Sequence, residues 1–158
     1  MRLAGLNKND VANGEGICVS LFVQGCPHHC KGCFNEETWN FNGGIEAPQD
    51  IDDIICDAIQ DNGIQRNFSL LGGEPLAPEN IKFSRHIINI VRDKFPNIKI
   101  FVWTGYVLND LVLNEDLVNI LSNIDILIDG PFKLEERDVT LKLRGSRNQR
   151  ILQRGIDF

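Results

Sequence analysis

An α/β domain built on a parallel sheet is what this sequence predicts, and three observations carry that expectation. Short apolar runs rich in β-branched residues recur along the chain, amphipathic stretches of helical period separate them, and turn residues mark most boundaries between the two. Strands that are apolar throughout are buried on both faces, which implies parallel pairing with right-handed helical crossovers.

The elements follow in order. Residues 17–23, Ile-Cys-Val-Ser-Leu-Phe-Val, lie between Gly16 and Gly25 and read as the first strand. Residues 25–44 are rich in glycine and asparagine and read as a long functional loop. Ile51, Ile54, Ile55, Ala58 and Ile59 repeat at the spacing of one helix face; Asp50, Asp52 and Asp53 put negative charge in its first turn, and Gly63 is expected to end it. Residues 68–71 form a second strand that runs into Gly72-Gly73-Glu74-Pro75. A second helix follows Pro78, with Ile81, Ile88, Val91 and Phe95 as its apolar stripe, and Pro96 stops it. Residues 98–103 make a third strand, 108–122 a mostly helical segment, and 124–128 a fourth strand before Asp129-Gly130-Pro131. There is no internal repeat, and 158 residues suit one packed core, so the expectation is a single domain over 1–158.

This alternation has a consequence for function, because parallel α/β folds bind ligands at the carboxyl ends of their strands. Those ends carry Gly25-Cys26, Gly72-Gly73-Glu74-Pro75, Thr104-Gly105-Tyr106 and Asp129-Gly130. The sheet is expected to gather them on one rim.

Charge and hydropathy exclude other classes. A net charge of -6 and a pI near 5.0 argue against general nucleic-acid binding, which needs a surplus of Lys and Arg. No apolar run is long enough to cross a bilayer, and the first ten residues, which include Arg2, Lys8 and Asp10, do not resemble a secretory leader. The expected compartment is the cytoplasm. There, five cysteines with three of them inside eight positions read as metal or redox ligands rather than disulfides.

The central motif is Cys26-Pro27-His28-His29-Cys30-Lys31-Gly32-Cys33. Three soft thiolates this close suit one iron each of an iron-sulfur cubane, whose fourth iron is then open to another ligand. Two other readings of the residues stand beside it: a structural zinc site completed by His28, His29 or Cys18, and a thiol redox pair at Cys30 and Cys33.

The spacing of three residues then two, at the end of a first strand and upstream of a glycine-rich second-strand motif, resembles the radical S-adenosylmethionine superfamily. The resemblance implies a partial, open parallel (β/α) barrel. It implies a 4Fe-4S cluster on Cys26, Cys30 and Cys33, with the amino and carboxylate groups of S-adenosylmethionine on the open iron. It also implies that Gly72, Gly73 and Glu74 contact the methionine ammonium, and that Gly32, Cys33, Phe34, Thr104 and Asp129 contribute to the cofactor site, with Phe34 near the adenine. Glycines let the backbone approach a ligand closely and a carboxylate favours a neighbouring cation, so the second motif suits that role. The alternative for Phe34 is ordinary core packing.

Further segments narrow the resemblance: Asn13-Gly14-Glu15-Gly16, Cys33-Phe34-Asn35 with Thr38-Trp39, Trp103-Thr104-Gly105-Tyr106, Asp129-Gly130, and Arg144-Gly145-Ser146 with Asn148-Gln149. Together they resemble the activators of anaerobic (class III) ribonucleoside-triphosphate reductase. That implies hydrogen abstraction from a reductase glycine by a 5'-deoxyadenosyl radical, leaving a glycyl radical, with electrons from a flavodoxin or ferredoxin. The chain departs from the pattern at Phe34, where tyrosine is frequent, at Glu74 in place of aspartate, and at Pro131, which stands where a lysine is common and removes a ligand contact, with Lys133 two residues on left open as its replacement. The rival functions are activation of another glycyl-radical enzyme, modification of a small molecule, and a zinc or electron-transfer module.

Charge is unevenly spread. Residues 32–65 hold eight acidic side chains and no Lys or Arg, while 139–155 hold five basic ones, Lys142, Arg144, Arg147, Arg150 and Arg154, and no acidic ones. The tail is expected to contact a partner or close the site. His86 reads as solvated, Cys18 and Cys56 as small apolar residues, and His28 and His29 as loop residues without a catalytic task.

Overall fold

The computed structural model describes residues 1–112 and 114–158. Seven strands form one open, mixed sheet: β1 (Arg2–Asp10), β2 (Cys18–Val23), β3 (Ile45–Glu46), β4 (Asn67–Gly72), β5 (Ile100–Trp103), β6 (Ile126–Asp129) and β7 (Arg150–Gln153), in the order β3-β1-β2-β4-β5-β6-β7. The four strands expected from the apolar runs are β2, β4, β5 and β6, and these pair in parallel. The sheet is not parallel throughout, because β1 runs antiparallel to β2 and β3, and β7 antiparallel to β6. Those three lack a continuous apolar run: in β1 only Leu3 and Asp10 are buried, and in β7 only Leu152.

The order β2-β4-β5-β6 adds each strand on the same side of the last. Right-handed crossovers then place every connecting helix on one face. That face carries α1 (Ile51–Ile59), α2 (Ile81–Lys94), the short α3 (Leu108–Leu111) and α4 (Glu115–Asn123). The main core lies between them, where Val19, Leu21, Phe68, Leu70, Ile100, Val102 and Leu127 of the sheet meet Ile55, Ile59, Ile87, Ile88 and Ile120 of the helices. Each such side chain contributes roughly 1.5–3 kcal/mol on burial.

Two helix boundaries differ from expectation. The first helix stops at Ile59 rather than Gly63, because Asn62 adopts φ 55 within a 3-10 turn at Asp61–Gly63 and cannot extend an α-helix. The stretch expected to be helical over 108–122 is divided, because Asn114 is extended and its side chain accepts the amides of Asp116 and Leu117 as the cap of α4. Leu113, inside that stretch, lies outside the described residues. Among the described residues no helix is long and apolar enough to cross a membrane.

Among the described residues no α-helix connects the parallel strands on the opposite face of the sheet. Phe101, Ile126 and Ile128 pack there against Trp103 and Leu143, so the C-terminal segment covers that part of the sheet. At the other flank Ser69 Oγ donates to the Asn13 carbonyl at 2.5 Å. A cleft is left between these covers and opens at the strand ends.

Candidate iron-sulfur site

The cysteine loop leaves the end of β2 and is closed on itself at Thr38 and Trp39. The amides of Gly25 and Cys26 donate to the carbonyls of Thr38 and Trp39 at 2.7 and 3.1 Å, closing the base of the loop. Inside it, the Cys33 amide donates to the Cys30 carbonyl and the Asn35 amide reaches Cys33 Sγ at 3.3 Å. His29 takes φ 49, unusual for a side chain of its size, and its ring stacks on Trp39 at 4.6 Å and 7°. The stacking fixes the turn between Cys26 and Cys30.

Cys26, Cys30 and Cys33 are free, half-buried thiols that line one cavity of about 140 Å³. The expected rim is present: Gly72, Gly73 and Glu74 after β4, Thr104 and Gly105 after β5, and Gly130 after β6 line the same cavity. Gly73 permits the closest approach, since a Cβ there would stand 2.4 Å from the Gly25 carbonyl oxygen. The second-strand motif thus lies directly on the base of the cysteine loop.

Glu74 is fastened beneath this rim with 1% exposure. Its carboxylate accepts the Leu76 amide at 2.9 Å, the Thr104 hydroxyl at 2.8 Å and the Gly105 amide at 2.7 Å, and His28 Nε2 lies 2.8 Å away. The charge expected beside a bound cation is therefore present but tied to three strand ends. Thr104 both lines the cavity and donates its hydroxyl to Glu74. Asp129 stands further back: fully buried, it accepts the Leu108 amide at 2.9 Å and pairs with Arg150 of β7.

Burial pushes the Cys26 thiol up to about 11, with the Glu74 charge adding to it and the backbone amides of His28 and His29 opposing it. Cys30 is raised as well, again chiefly by burial. Metal binding here must release protons from the thiols. The donor set fits a cubane, which takes one soft thiolate per iron. The residues considered for completing a zinc site are otherwise engaged: His28 on Glu74, His29 on Trp39, and Cys18 at the amino end of β2, buried and bonded to the Glu15 carbonyl. Among the described residues no three His, Cys, Asp or Glu side chains converge as ligands of one ion.

A second cavity of about 490 Å³ continues the first along the helix-free face; Cys33, Trp103, Phe132 and Gln149 line both. Phe34 belongs to its wall, not to the core: it is 54% exposed, 5.2 Å from the Phe132 ring, with the Arg137 guanidinium 5.1 Å over its face. Gly32 is exposed and lies against Leu134. Sequence reasoning misses Phe132, reads His28 only as a loop residue or zinc candidate, and leaves Gly105, Trp39 and Gln149 in matched segments without a role of their own. Gly105 had a signal, its place at a strand end; the contact of His28 with Glu74 had none.

These features define an iron-sulfur protein with one cluster loop at the carboxyl edge of an open α/β sheet. The family described as "4Fe-4S single cluster domain" matches residues 12–152. The anaerobic ribonucleoside-triphosphate reductase-activating protein of Vibrio cholerae is 40% identical over 143 residues, covering 90% of this chain and 91% of its own length. That of Haemophilus influenzae is 41% identical over 90% of this chain and 91% of its own length, and that of Enterobacteria phage T4 is 38% identical over 90% and 87%. The chain belongs to the family of anaerobic ribonucleoside-triphosphate reductase-activating proteins.

Proposed function

We propose that this chain activates an anaerobic ribonucleoside-triphosphate reductase through S-adenosylmethionine and a 4Fe-4S cluster, as one domain with the partial open barrel of the radical S-adenosylmethionine type. The observation that carries the proposal is the meeting of Cys26, Cys30 and Cys33 with the Gly72-Gly73 turn in one cavity. Cys26, Cys30 and Cys33 would hold the cluster, which, given one electron from an external donor, would supply reductive cleavage of S-adenosylmethionine to methionine and a 5'-deoxyadenosyl radical for hydrogen abstraction from a reductase glycine.

The chain's own residues hold and orient. Three thiolates would secure three irons and leave the fourth open. The Gly72-Gly73 turn lets backbone approach an ammonium closely, and Glu74 lends negative potential from below without moving. Phe34 and Phe132 offer an apolar wall for a planar base in the larger cavity. The barrel reading is supported by helices confined to one face, which leaves the other free to line a cleft. Free thiols suit a reducing cytoplasm, and the electron would come from a flavodoxin- or ferredoxin-like donor.

The test is to load the protein anaerobically with iron and sulfide, reduce it, add S-adenosylmethionine, and measure 5'-deoxyadenosine with and without the reductase, against Cys30→Ala. Product that requires Cys30, with a glycyl radical signal on the reductase, is the expected result. No product in either condition from a fully loaded, reduced cluster would overturn the proposal.

A further inference from the structure

Two ordered lips flank the larger cavity, and both present apolar surface to solvent. On one side Ala12 and Asn13 line it, next to Val11, which is 76% exposed. On the other side Asp138 and Val139 line it, and Val139 is 76% exposed as well. Neither valine sits on a loose end. Asp10 accepts the Ala12 amide at 2.8 Å and the Asn13 side-chain amide at 2.7 Å, and the Asn13 carbonyl is held by Ser69. Residues 137–147 double back as a hairpin in which Arg137 bridges Ser146. There the Asp138 amide donates to the Gly145 carbonyl at 3.1 Å, the Arg147 amide to the Glu136 carbonyl at 2.9 Å, and the Trp103 indole to the Leu143 carbonyl.

The hairpin concentrates positive charge in an acidic chain. Residues 137–147 hold Arg137, Lys142, Arg144 and Arg147 against one acidic residue, Asp138, in a molecule of net charge -6. Arg85, Arg92, Arg150 and Arg154 elsewhere each meet a carboxylate. Arg137 and Lys142, both exposed, have none within ion-pair distance among the described residues. Arg147 is 60% exposed and meets Asp138 only at 3.9 Å. Glu15 feels the charge of Lys142, which places that lysine toward the other lip, yet its carboxylate is bonded to Lys99 at 2.5 Å. Exposed apolar side chains beside unneutralised charge, on backbone that is already ordered, are the anatomy of a protein interface.

We infer that these two lips are the surface on which the reductase docks, Val11 and Val139 meeting apolar side chains around its glycine segment and Lys142 and Arg147 meeting carboxylates on the body behind it. The inference rests on the proposed function. A protein substrate must bring a segment into the cavity, so its body comes to rest on what borders the opening. An electron donor need not enter, and can stand at the outer side of the cysteine loop, where Pro27, His29 and Lys31 are exposed.

The experiment measures binding of the cognate reductase to the cluster-loaded chain at several salt concentrations. Lys142→Glu/Arg147→Gln is compared with the parent and with Lys82→Glu/Lys94→Gln, which changes net charge by the same amount at exposed positions of α2. Lys142 and Arg147 stand outside the linings of both cavities, so S-adenosylmethionine affinity, iron content and thermal midpoint should match the parent. Reductase affinity should fall roughly tenfold or more at low salt, mainly through slower association, and the gap should close as added salt screens the charges. Val139→Ser should weaken binding by about fivefold through faster dissociation at every salt concentration. If the double variant does not load iron, Val139→Ser and Lys142→Gln carry the same reading singly. Parent-like reductase affinity in the folded lip variants overturns the inference. So does equal weakening by the α2 pair, or slower cluster reduction by the electron donor with reductase affinity unchanged. A parent that binds no reductase at any salt concentration overturns the proposed function itself.

Discussion

His28 Nε2 lies 2.8 Å from the Glu74 carboxylate, so a contact between residues 46 apart in sequence fastens the cysteine loop to the end of β4. The same carboxylate accepts from Leu76, Thr104 and Gly105, so one buried charge joins the loop to the ends of β4 and β5. In Glu74→Gln an NH₂ group must face at least one of these donors. We expect the iron-free variant to lose about 1–3 kcal/mol of stability in urea unfolding. Iron bound per chain after reconstitution should fall with it. A parent-like urea midpoint together with parent-like iron content would show that Glu74 does not organise the loop.

Gly73→Ala tests the contact between the second-strand motif and the loop without touching a charge. The new methyl would stand 2.4 Å from the Gly25 carbonyl oxygen, and both partners are backbone, so the strand end must move. A destabilisation of about 1–3 kcal/mol is expected, with reduced iron loading. Gly5→Ala is the control, because nothing lies within 4 Å of its added Cβ. It should leave stability and iron content within about 0.5 kcal/mol and experimental scatter of the parent.

The parallel centre of the sheet was legible because burial on both faces writes itself as continuous apolar runs, as in β2 and β4. The antiparallel strands were not. Asn7, Lys8 and Asn9 of β1 are exposed, and the ladder that joins β1 to β2 through Leu3, Gly5, Leu6, Asn7 and Asp10 rests on backbone bonds that any side chain permits. Likewise the meeting of the three cysteines with the Gly72-Gly73 turn on one rim could be expected from their places at strand ends. The four contacts of Glu74 depend on how three strand ends meet, which no local pattern records. The tail was legible as basic, yet what its charges meet follows from tertiary placement: Arg150 neutralises buried Asp129, whereas Arg144 in the next cavity wall donates to the Gln149 carbonyl and has no carboxylate partner among the described residues.

Asp125 sets an acid limit on stability. Burial alone would raise its carboxyl, but the Ile100 amide at 2.8 Å and the Arg92 and Arg154 guanidiniums outweigh it and hold the group below its ordinary value of 3.8. As pH falls through that value the unfolded chain takes up the proton first. The stabilisation is thus complete above about pH 4 and is lost as pH drops through the depressed native value. Asp125→Asn should cost about 1–3 kcal/mol at pH 7 and progressively less below pH 4. Urea unfolding at several pH values reads this directly, and a penalty that stays constant down to pH 2 would exclude the charged contact as its origin.

Trp103→Phe isolates the tie that holds the C-terminal segment over the helix-free face. The ring packing of Trp103 with Phe101 is largely kept, while the indole N–H that donates to the Leu143 carbonyl at 2.7 Å is removed. That bond supports Leu143 in its left-handed backbone, so the segment gains freedom to relax when it is lost. Global stability should fall by about 1 kcal/mol. The sharper signal is local: the amides of Gly145 and Ser146, which donate to Gln149 Oε1, should exchange with deuterium faster, while those of β4 and β5 keep their protection. Equal acceleration in β4 and β5 would instead mean that the substitution weakens the whole sheet, and the tail would then not be an independently held cover of the cleft.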